Sequence, residues 1–329
     1  MDFFAVFGNP VWHSKSPQIF NSFFTQKNID ARYFRILPAS VKNIPVIIKY
    51  LNLKGVNITS PFKTEIIKIL DEISLVAEKV NAVNTIKFTK NKLIGYNTDV
   101  YGVGNIIKKY SFKTALVLGA GGAANAAIFA LKQNNIAITV LNRTKEKAKK
   151  LSEKYNCKFD DLKNINKYRK TFDVIVNTIS KNIKIIDDDF FVSNQVFIDA
   201  NYKNSVYANF SENKNIEYIN GNEWLLNQAI PAFTIFTDKS VFIDNFKIHE
   251  IKYNKILLSG EFGNEISKKL NNPIFINEKN KYNADKTFVV RFIDLNNHAK
   301  INLKNTDLLI DVTDKSSIEI INILNSIII

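Results

Sequence analysis

The sequence contains one cysteine, Cys157, and three histidines that lie far apart, His13, His249 and His298. A single thiol excludes an intramolecular disulfide and a zinc site built from several cysteines. Histidines this widely separated also argue against a histidine-based metal site. We therefore expect no bound metal, and a chemistry that depends on other side chains.

Long apolar runs are missing as well. No run approaches the ~18 residues that a membrane span requires. The N-terminal residues MDFFAVFGNP lack the basic start and the apolar stretch of a signal peptide. The sequence therefore predicts a cytoplasmic protein with no membrane partner.

Acidic residues are outnumbered by basic ones, and the formal net charge is +14. Nucleic-acid binding is one interpretation of such a charge. However, the lysines are dispersed, and asparagine and isoleucine are abundant beside them, which is typical of an A- and T-rich coding bias. We expect no nucleic-acid partner; steeply salt-dependent binding to RNA or duplex DNA would be the mark of one.

Strand-like and helix-like segments alternate from residue 3 to about residue 200, which predicts an α/β fold. Residues 61–80 have the amphipathic pattern of one long helix with Pro61 in its first turn. Residues 81–99 indicate a hairpin-like pair of strands. Over residues 101–220 the pattern predicts a Rossmann-type domain.

A glycine turn joins a strand to a helix in LVLGAGGAANAA, at residues 116–127. Glycines of this spacing between an apolar strand and a helix are typical of dinucleotide binding, because they permit a tight turn and a close approach of the pyrophosphate to the helix N-terminus. An ordinary strand-to-helix turn is the alternative. The predicted cofactor-binding residues of this turn are Gly119, Ala120, Gly121, Gly122 and Ala123.

The end of the next strand carries the residues Asn142, Arg143 and Thr144, where NAD-binding domains place an acidic residue for the ribose 2′-hydroxyl. Lys147 follows Arg143 at a spacing of four, so both side chains can reach one anion. An adenosine 2′-phosphate fits such a pair, which favours NADP over NAD. A solvated basic turn is the alternative.

Seven motifs occur in one order along residues 1–245. They are GNPVWHSKSP at 8–17, GVNITSPFK at 55–63, AVNT at 82–85, GYNTD at 95–99, GAGGA at 119–123, NRT at 142–144 and GNEWLLNQA at 221–229. On these motifs the chain resembles the shikimate dehydrogenases. The resemblance implies NADPH-dependent, reversible reduction of 3-dehydroshikimate to shikimate, by a monomer or a homodimer. It also implies a substrate domain at 1–100, rejoined by 221–247, and catalysis between that domain and the NADP domain at 101–220.

The resemblance implies a role for individual residues at the matching positions. Lys63 and Asp99 match the catalytic pair, with Lys63 as the main acid and base and Asp99 as the orienting group. Substrate-binding residues are Ser14 and Ser16 for the carboxylate, and Thr59, Asn84, Asp99, Tyr202 and Gln228 for the remainder; a packing role is the alternative for Tyr202. Thr178 and Gly221 complete the cofactor-binding set.

Two departures from the family pattern stand out. The segment VNTISKNIK at 176–184 lacks the glycine and proline that the family places near the nicotinamide. A non-catalytic binding protein on the same scaffold is therefore the alternative function, although the intact Lys63 and Asp99 argue against it.

The second departure is about 80 residues beyond residue 247, with four strand-like runs, KILLSG, PIFIN, TFVVRFID and DLLIDVT, and a final helix, SSIEIINILNSI. We expect a small extra C-terminal α/β module at 248–329. Gly260, Gly263 and Ser267 are spaced as in a nucleotide-binding loop, but Ile266 replaces the lysine. Two interpretations of this segment are a degenerate shikimate-kinase-like remnant and an oligomerisation module.

Overall fold

The computed structural model describes residues 1–179, 183–192, 194–202, 205–212, 216–242, 255–259, 275–277, 287–293 and 307–311. Two compact units emerge. The first contains Met1–Ile73, Val83–Gly95 and the described residues from Phe236 onward; the second contains Ser74–Ala82 and Tyr96–Ile235.

The N-terminal part of the chain forms an α/β layer, as predicted. Its elements are β1 (Asp2–Phe7), α1 (Ser16–Gln26), β2 (Ala31–Leu37), α2 (Asn43–Tyr50), β3 (Gly55–Ile58), β4 (Glu72–Ile73), α3 (Leu75–Val80), β5 (Thr85–Thr89) and β6 (Lys92–Tyr96). Strand β1 runs parallel to both β2 and β3. The loops that follow β1 and β3 therefore emerge at the same edge of the sheet.

The strand pair predicted over residues 81–99 is confirmed as neighbouring β5 and β6. Lys90 and Asn91 connect the two strands, and both have positive φ angles, 47° and 60°. Two consecutive residues of this conformation match the right-handed twist of a hairpin.

The long helix predicted over residues 61–80 is wrong. Residues Glu65–Ile69 form one short 3₁₀ helix, and α3 begins only after Ser74, whose hydroxyl accepts a hydrogen bond from the backbone N–H of Ala77. Between them, the Asp71 carboxylate accepts from the backbone N–H of Leu93 at 2.7 Å, and the Asp71 N–H donates to the Leu93 carbonyl at 3.1 Å. These bonds draw the chain to the sheet edge and interrupt the helix.

The middle of the chain forms the predicted Rossmann-type domain. Its elements are α4 (Asp99–Ile107), β7 (Thr114–Leu118), α5 (Gly122–Gln133), β8 (Ala137–Asn142), α6 (Lys145–Tyr155), β9 (Lys158–Asp161), β10 (Val174–Asn177), β11 (Gln195–Asp199), β12 (Ile216–Ile219) and α7 (Gly221–Thr237). The parallel strands lie in the order β12-β11-β10-β7-β8-β9. This is the doubly wound order, which places a ligand crevice after β7, where the strand order reverses.

The four strands predicted beyond residue 247 are confirmed as β13 (Lys255–Ser259), β14 (Phe275–Asn277), β15 (Thr287–Ile293) and β16 (Leu308–Asp311). All four continue the first unit's sheet, whose order is β14-β13-β15-β16-β2-β1-β3-β5-β6-β4. Strand β16 is parallel to β2. The predicted final helix and the turn at 260–267 lie outside the described residues.

None of the helices in the described residues is long and apolar enough to cross a membrane. The same part of the chain contains no cluster of three or more His, Cys, Asp or Glu side chains that could hold a metal ion.

Candidate active site

Ser14 and Ser16 lie together where the loop after β1 enters α1. Both are buried, each with about 5% of its surface exposed. The Ser14 hydroxyl donates to the Ser16 hydroxyl at 3.2 Å, and the Ser16 backbone N–H donates to the Ser14 oxygen at 3.3 Å. Two neutral hydroxyls at the N-terminus of a helix can donate to one small anion.

A buried arginine that the sequence did not single out supports this loop. Arg35, on β2, is only 3% exposed. Its Nε and Nη2 atoms donate to the backbone carbonyl of Ser14 at 3.0 and 2.6 Å. The guanidinium therefore fixes the backbone from which the Ser14 hydroxyl projects.

A buried polar network extends from the serines towards Asn84. The Tyr33 hydroxyl interacts with Ser16 and donates to the side-chain oxygen of Asn57 at 2.7 Å. The Asn57 side chain in turn donates to the Asn84 carbonyl at 3.1 Å and to the Thr85 hydroxyl at 3.0 Å. Burial raises the pKa of Tyr33 well above its usual value, so its hydroxyl keeps its proton. Sequence reasoning missed Tyr33 and Asn57, whose signal is a polar group inside an otherwise apolar strand.

Thr59 and Lys63 follow β3 at the same sheet edge. The Thr59 N–H donates to the Phe7 carbonyl at 2.8 Å, which ties this loop to the end of β1. The Lys63 carbonyl accepts from the Val83 N–H at 2.8 Å, immediately before Asn84. These five residues, Ser14, Ser16, Thr59, Lys63 and Asn84, come from three of the predicted motifs, and in the first unit all five follow or precede strand ends at one edge of the sheet.

The second unit positions Asp99 and Gln228 through the packing of α4 on α7. Asp99 opens α4 and is 8% exposed, and its carbonyl accepts from the Trp224 indole N–H at 3.2 Å. A Cβ at Gly102 would lie 2.3 Å from the Trp224 ring, so only glycine permits this approach. The Thr98 hydroxyl donates to the Gln228 side chain at 3.1 Å.

The glycine turn of the second unit has the form that a pyrophosphate requires. Gly119 has a φ of +108°, and a Cβ there would lie 2.4 Å from the Thr178 hydroxyl oxygen. A Cβ at Gly121 would meet no described atom within 4 Å. Since Gly121 immediately precedes α5, the space beside it lies at a helix N-terminus and fits a bound phosphate group.

The residues after β8 form an exposed basic turn. The Asn142 side chain donates to the Thr144 carbonyl at 2.9 Å, and the Lys147 N–H donates to the same carbonyl at 3.0 Å. The side chains of Arg143 and Lys147 are both exposed. The turn is therefore fixed by its backbone, with both cations accessible to an anion.

Asp199, at the end of β11, organises the loops that carry Thr178 and Tyr202. It is fully buried and accepts hydrogen bonds from the side chains of Asn177 and Asn201 at 3.0 and 2.9 Å. Asn201 also donates to the Ile179 carbonyl at 3.0 Å. Tyr202, which follows directly, is half-buried.

Gly221 lies against the same loop. A Cβ there would be 2.5 Å from the Ala200 carbonyl oxygen. The Thr178 hydroxyl donates to the Leu118 carbonyl at 2.8 Å, beside the glycine turn. Residues 180–182, in the segment that departs from the family pattern, lie outside the described residues.

Two family models match the chain. The model described as the shikimate dehydrogenase substrate binding domain matches residues 6–86. The model described as shikimate / quinate 5-dehydrogenase matches residues 103–219. Together they include five of the seven motifs, and the motifs at 95–99 and 221–229 lie just outside them.

Relatives with a known activity are similar over most of their own length. The NADP(+) shikimate dehydrogenase of Aquifex aeolicus is 37% identical over 71% of this chain and 90% of the relative. A crystal structure of shikimate dehydrogenase from Aquifex aeolicus superposes with a TM-score of 0.67 and 35% identity, over 73% of this chain and 94% of that one. The Thermus thermophilus enzyme, solved with NADP(H) and shikimate, superposes with a TM-score of 0.66 and 27% identity, over 73% and 95%.

Proposed function

Because the chain belongs to the shikimate dehydrogenase family, we propose that its matching motif positions carry the family's substrate, cofactor and proton-transfer roles. The protein is an NADP-dependent oxidoreductase that catalyses the reversible reduction of 3-dehydroshikimate to shikimate in aromatic amino acid biosynthesis. The roles of its individual residues are our proposal.

Ser14 and Ser16 bind the substrate carboxylate. The observation that carries this assignment is the pair of buried hydroxyls, 3.2 Å apart, at the N-terminus of α1. Hydroxyl donors together with a helix N-terminus stabilise an anion without ordering long charged side chains.

The substrate hydroxyls and carbonyl are bound by polar groups that donate and accept. On the first unit these are Thr59 and Asn84; on the second they are Asp99, Gln228 and Tyr202. Asparagine and glutamine amides offer both a donor and an acceptor, which suits a polyol. Asn84 is oriented by two hydrogen bonds in series: Tyr33 donates to the Asn57 side chain, and the Asn57 side chain donates to the backbone carbonyl of Asn84.

Lys63 is the principal acid and base, and Asp99 orients the substrate. In the reducing direction, the Lys63 ammonium donates a proton to the oxygen on which negative charge develops. In the oxidising direction the neutral amine takes the proton back. Asp99 holds the substrate through its carboxylate. The Trp224 indole N–H fixes the backbone of Asp99 by donating to its carbonyl oxygen.

The residues of the glycine turn fit NADP. Gly119 to Ala123 would hold the pyrophosphate, since Gly121 leaves open space at the N-terminus of α5. Arg143 and Lys147 would hold the 2′-phosphate, on a turn shaped by Asn142 and Thr144. Thr178 and Gly221 would lie on the nicotinamide side. When bound, NADPH supplies the hydride.

The enzyme works in the cytoplasm, as a monomer or homodimer, on two small water-soluble substrates. This part of the proposal is supported by the chemistry of shikimate and NADP, which are both dissolved metabolites. Sedimentation of the purified protein measures its oligomeric state directly.

The proposed function is tested by mixing purified protein and shikimate with NADP in one cuvette and with NAD in another. We expect the absorbance band of the reduced nicotinamide to rise with NADP and to rise little with NAD. No rise with either cofactor would overturn the catalytic assignment, and an equal rise with both would overturn the role of Arg143 and Lys147.

A further inference from the structure

Arg35, on β2, connects this strand to the loop that carries Ser14 and Ser16. Besides its two bonds to the Ser14 carbonyl, its Nη2 atom donates to the Gln18 side chain at 3.3 Å, on the first turns of α1. A planar guanidinium that donates two bonds to one oxygen fixes both distance and direction. The loop and the start of α1 are therefore held by a single buried side chain.

The backbone of Arg35 is held from the other side by the C-terminal segment. Its N–H donates to the Asp307 carbonyl at 3.1 Å, and Leu308 lies opposite Arg35 in the parallel register of β16 and β2. The side chains of Leu308, Leu309 and Ile310 are completely buried. The strand is therefore packed into the unit rather than laid on its surface.

An ion pair near the start of β2 reinforces the same contact. Arg32 Nη2 lies 3.2 Å from the Asp307 carboxylate, whose side chain is 15% exposed. The Nε atom of Arg32 is buried without a hydrogen-bond partner among the described residues. Loss of the Asp307 charge would therefore remove the ion-pair partner of the Arg32 guanidinium at this end of β2.

This strand lies outside the part of the chain that defines the family. The family models end at residue 219, and the similar regions of the relatives cover 70–76% of the chain. The first unit of this chain thus contains a strand, contributed by the extra C-terminal segment, that pairs directly with β2, the strand of Arg35.

We propose that Arg35 is a positioning residue for the substrate carboxylate, and that β16 of the C-terminal segment keeps Arg35 in place. The proposal rests on the proposed role of Ser14 and Ser16. Arg35 acts through the Ser14 carbonyl and does not touch the substrate. Its charge also lowers the cost of placing an anion at the buried serine pair.

The direct test compares Arg35→Gln and Arg35→Lys in the full chain. We expect Arg35→Gln to raise the KM for shikimate about tenfold to a hundredfold, the range for a lost hydrogen bond to a charged group. Arg35→Lys keeps the charge but cannot donate in the same planar arrangement, so we expect a smaller rise. The KM for NADP should stay unchanged in both, because the cofactor residues belong to the second unit.

The second arm tests the C-terminal strand. Asp307→Asn keeps the shape of the side chain and removes its charge, and we expect the KM for shikimate to rise roughly two- to tenfold, as for other residues that act through a packed network. Asp238→Asn is the matched control. Asp238 forms an exposed ion pair with Lys87 on the same unit, so its loss should leave the KM for shikimate unchanged.

Ser14→Ala separates failure of this inference from failure of the proposed function. If Ser14→Ala raises the KM for shikimate and the Arg35 and Asp307 variants do not, the inference is wrong and the carboxylate site stands. If Ser14→Ala has no effect either, the carboxylate site itself is wrong. Two results would show that Arg35 has only a structural role and would overturn the inference. One is an equal rise in the KM for shikimate and the KM for NADP; the other is an Asp238→Asn effect as large as that of Asp307→Asn. If Arg35→Gln does not fold, the KM for shikimate of Arg35→Lys and of Asp307→Asn provides the test instead.

Discussion

The hydroxyl of Tyr33 and the side-chain oxygen of Asn57 form a 2.7 Å hydrogen bond between β2 and β3, two strands that are separated by β1. Solvent does not reach Tyr33. Through Tyr33 and Asn57 the bond connects the strand next to the Ser14–Ser16 loop with the backbone of Asn84, both of which we propose to bind substrate.

Replacing Tyr33 with phenylalanine should destabilise the protein by about 1–3 kcal/mol, because a buried Asn57 oxygen loses its donor. We also expect a higher KM for shikimate, because Asn57 orients Asn84. Urea unfolding and steady-state kinetics measure the two effects. Tyr101→Phe, at an exposed position, is the control and should change neither. A Tyr33→Phe protein as stable as the parent would contradict the role of this bond.

Buried tyrosines should make the fold sensitive to alkali. Burial raises the pKa of Tyr33, and it raises that of Tyr155 to about 12, whereas an unfolded tyrosine titrates near about 10. Above about pH 10 the unfolded chain releases phenolic protons that the folded chain keeps, so the free energy of unfolding falls by up to ~1.4 kcal/mol per pH unit for each such tyrosine. Urea unfolding at a series of alkaline pH values measures the slope. Tyr33→Phe should have a shallower slope; an unchanged slope would contradict the prediction.

Lys63→Ala should lower kcat by about 10²–10⁴-fold, the usual contribution of a general acid and base. The KM for NADP should change little. Lys68→Ala is a suitable control, since Lys68 is exposed on the neighbouring 3₁₀ helix. Near-normal turnover by Lys63→Ala would contradict the assignment of Lys63.

Arg143→Ala should raise the KM for NADP by about tenfold to a hundredfold and leave the KM for NAD unchanged, because NAD has no 2′-phosphate to lose a charged partner. The comparison is made with shikimate at saturation. Lys150→Ala, which removes an exposed cation farther along α6, controls for the overall positive charge. A parallel loss with both cofactors would place Arg143 elsewhere in the site.

Gly119 and Gly121 should respond differently to a side chain. Gly121→Val should fold normally, since its Cβ meets no described atom, but should fail to bind NADP because the side chain fills the pyrophosphate space. Gly119→Val should be destabilised by several kcal/mol or fail to fold, since a β-branched residue is strained at φ +108° and would meet Thr178. Thermal unfolding and cofactor titration separate the two. Normal NADP binding by Gly121→Val would contradict the proposed site.

The Rossmann-type unit was predictable because its signals are local. The strand, glycine turn and alanine-rich helix over residues 114–133 follow each other without interruption, and it is this context that makes the glycine spacing indicate a dinucleotide. The strands beyond residue 247 were predictable for the same reason, as short apolar runs. Their place in the sheet was not, because the pairing of β16 with β2 depends on residues at opposite ends of the chain.

The failures have a common physical origin. The helix expected over 61–80 is broken by bonds between Asp71 and Leu93, which no local pattern shows. Arg35 and Tyr33 lie in an apolar strand, where sequence reasoning takes a polar residue for an exposed one. Arg35 donates to the Ser14 carbonyl and Tyr33 donates to Asn57. Both contacts depend on the tertiary structure, which the sequence of the strand does not show.

The pairing of β16 with β2 also has a consequence for how the polypeptide is made. Arg32 and Asp307 are 275 residues apart in the sequence. At translation rates of ~5–20 residues per second, on the order of 15–55 s pass between the synthesis of one and of the other. During that interval the nascent chain exposes an unpaired edge of β2, with its buried apolar residues and open hydrogen-bonding groups, to every other protein in its surroundings. Nascent chains of this enzyme should therefore depend on protection of that edge until the C-terminal segment has been synthesised.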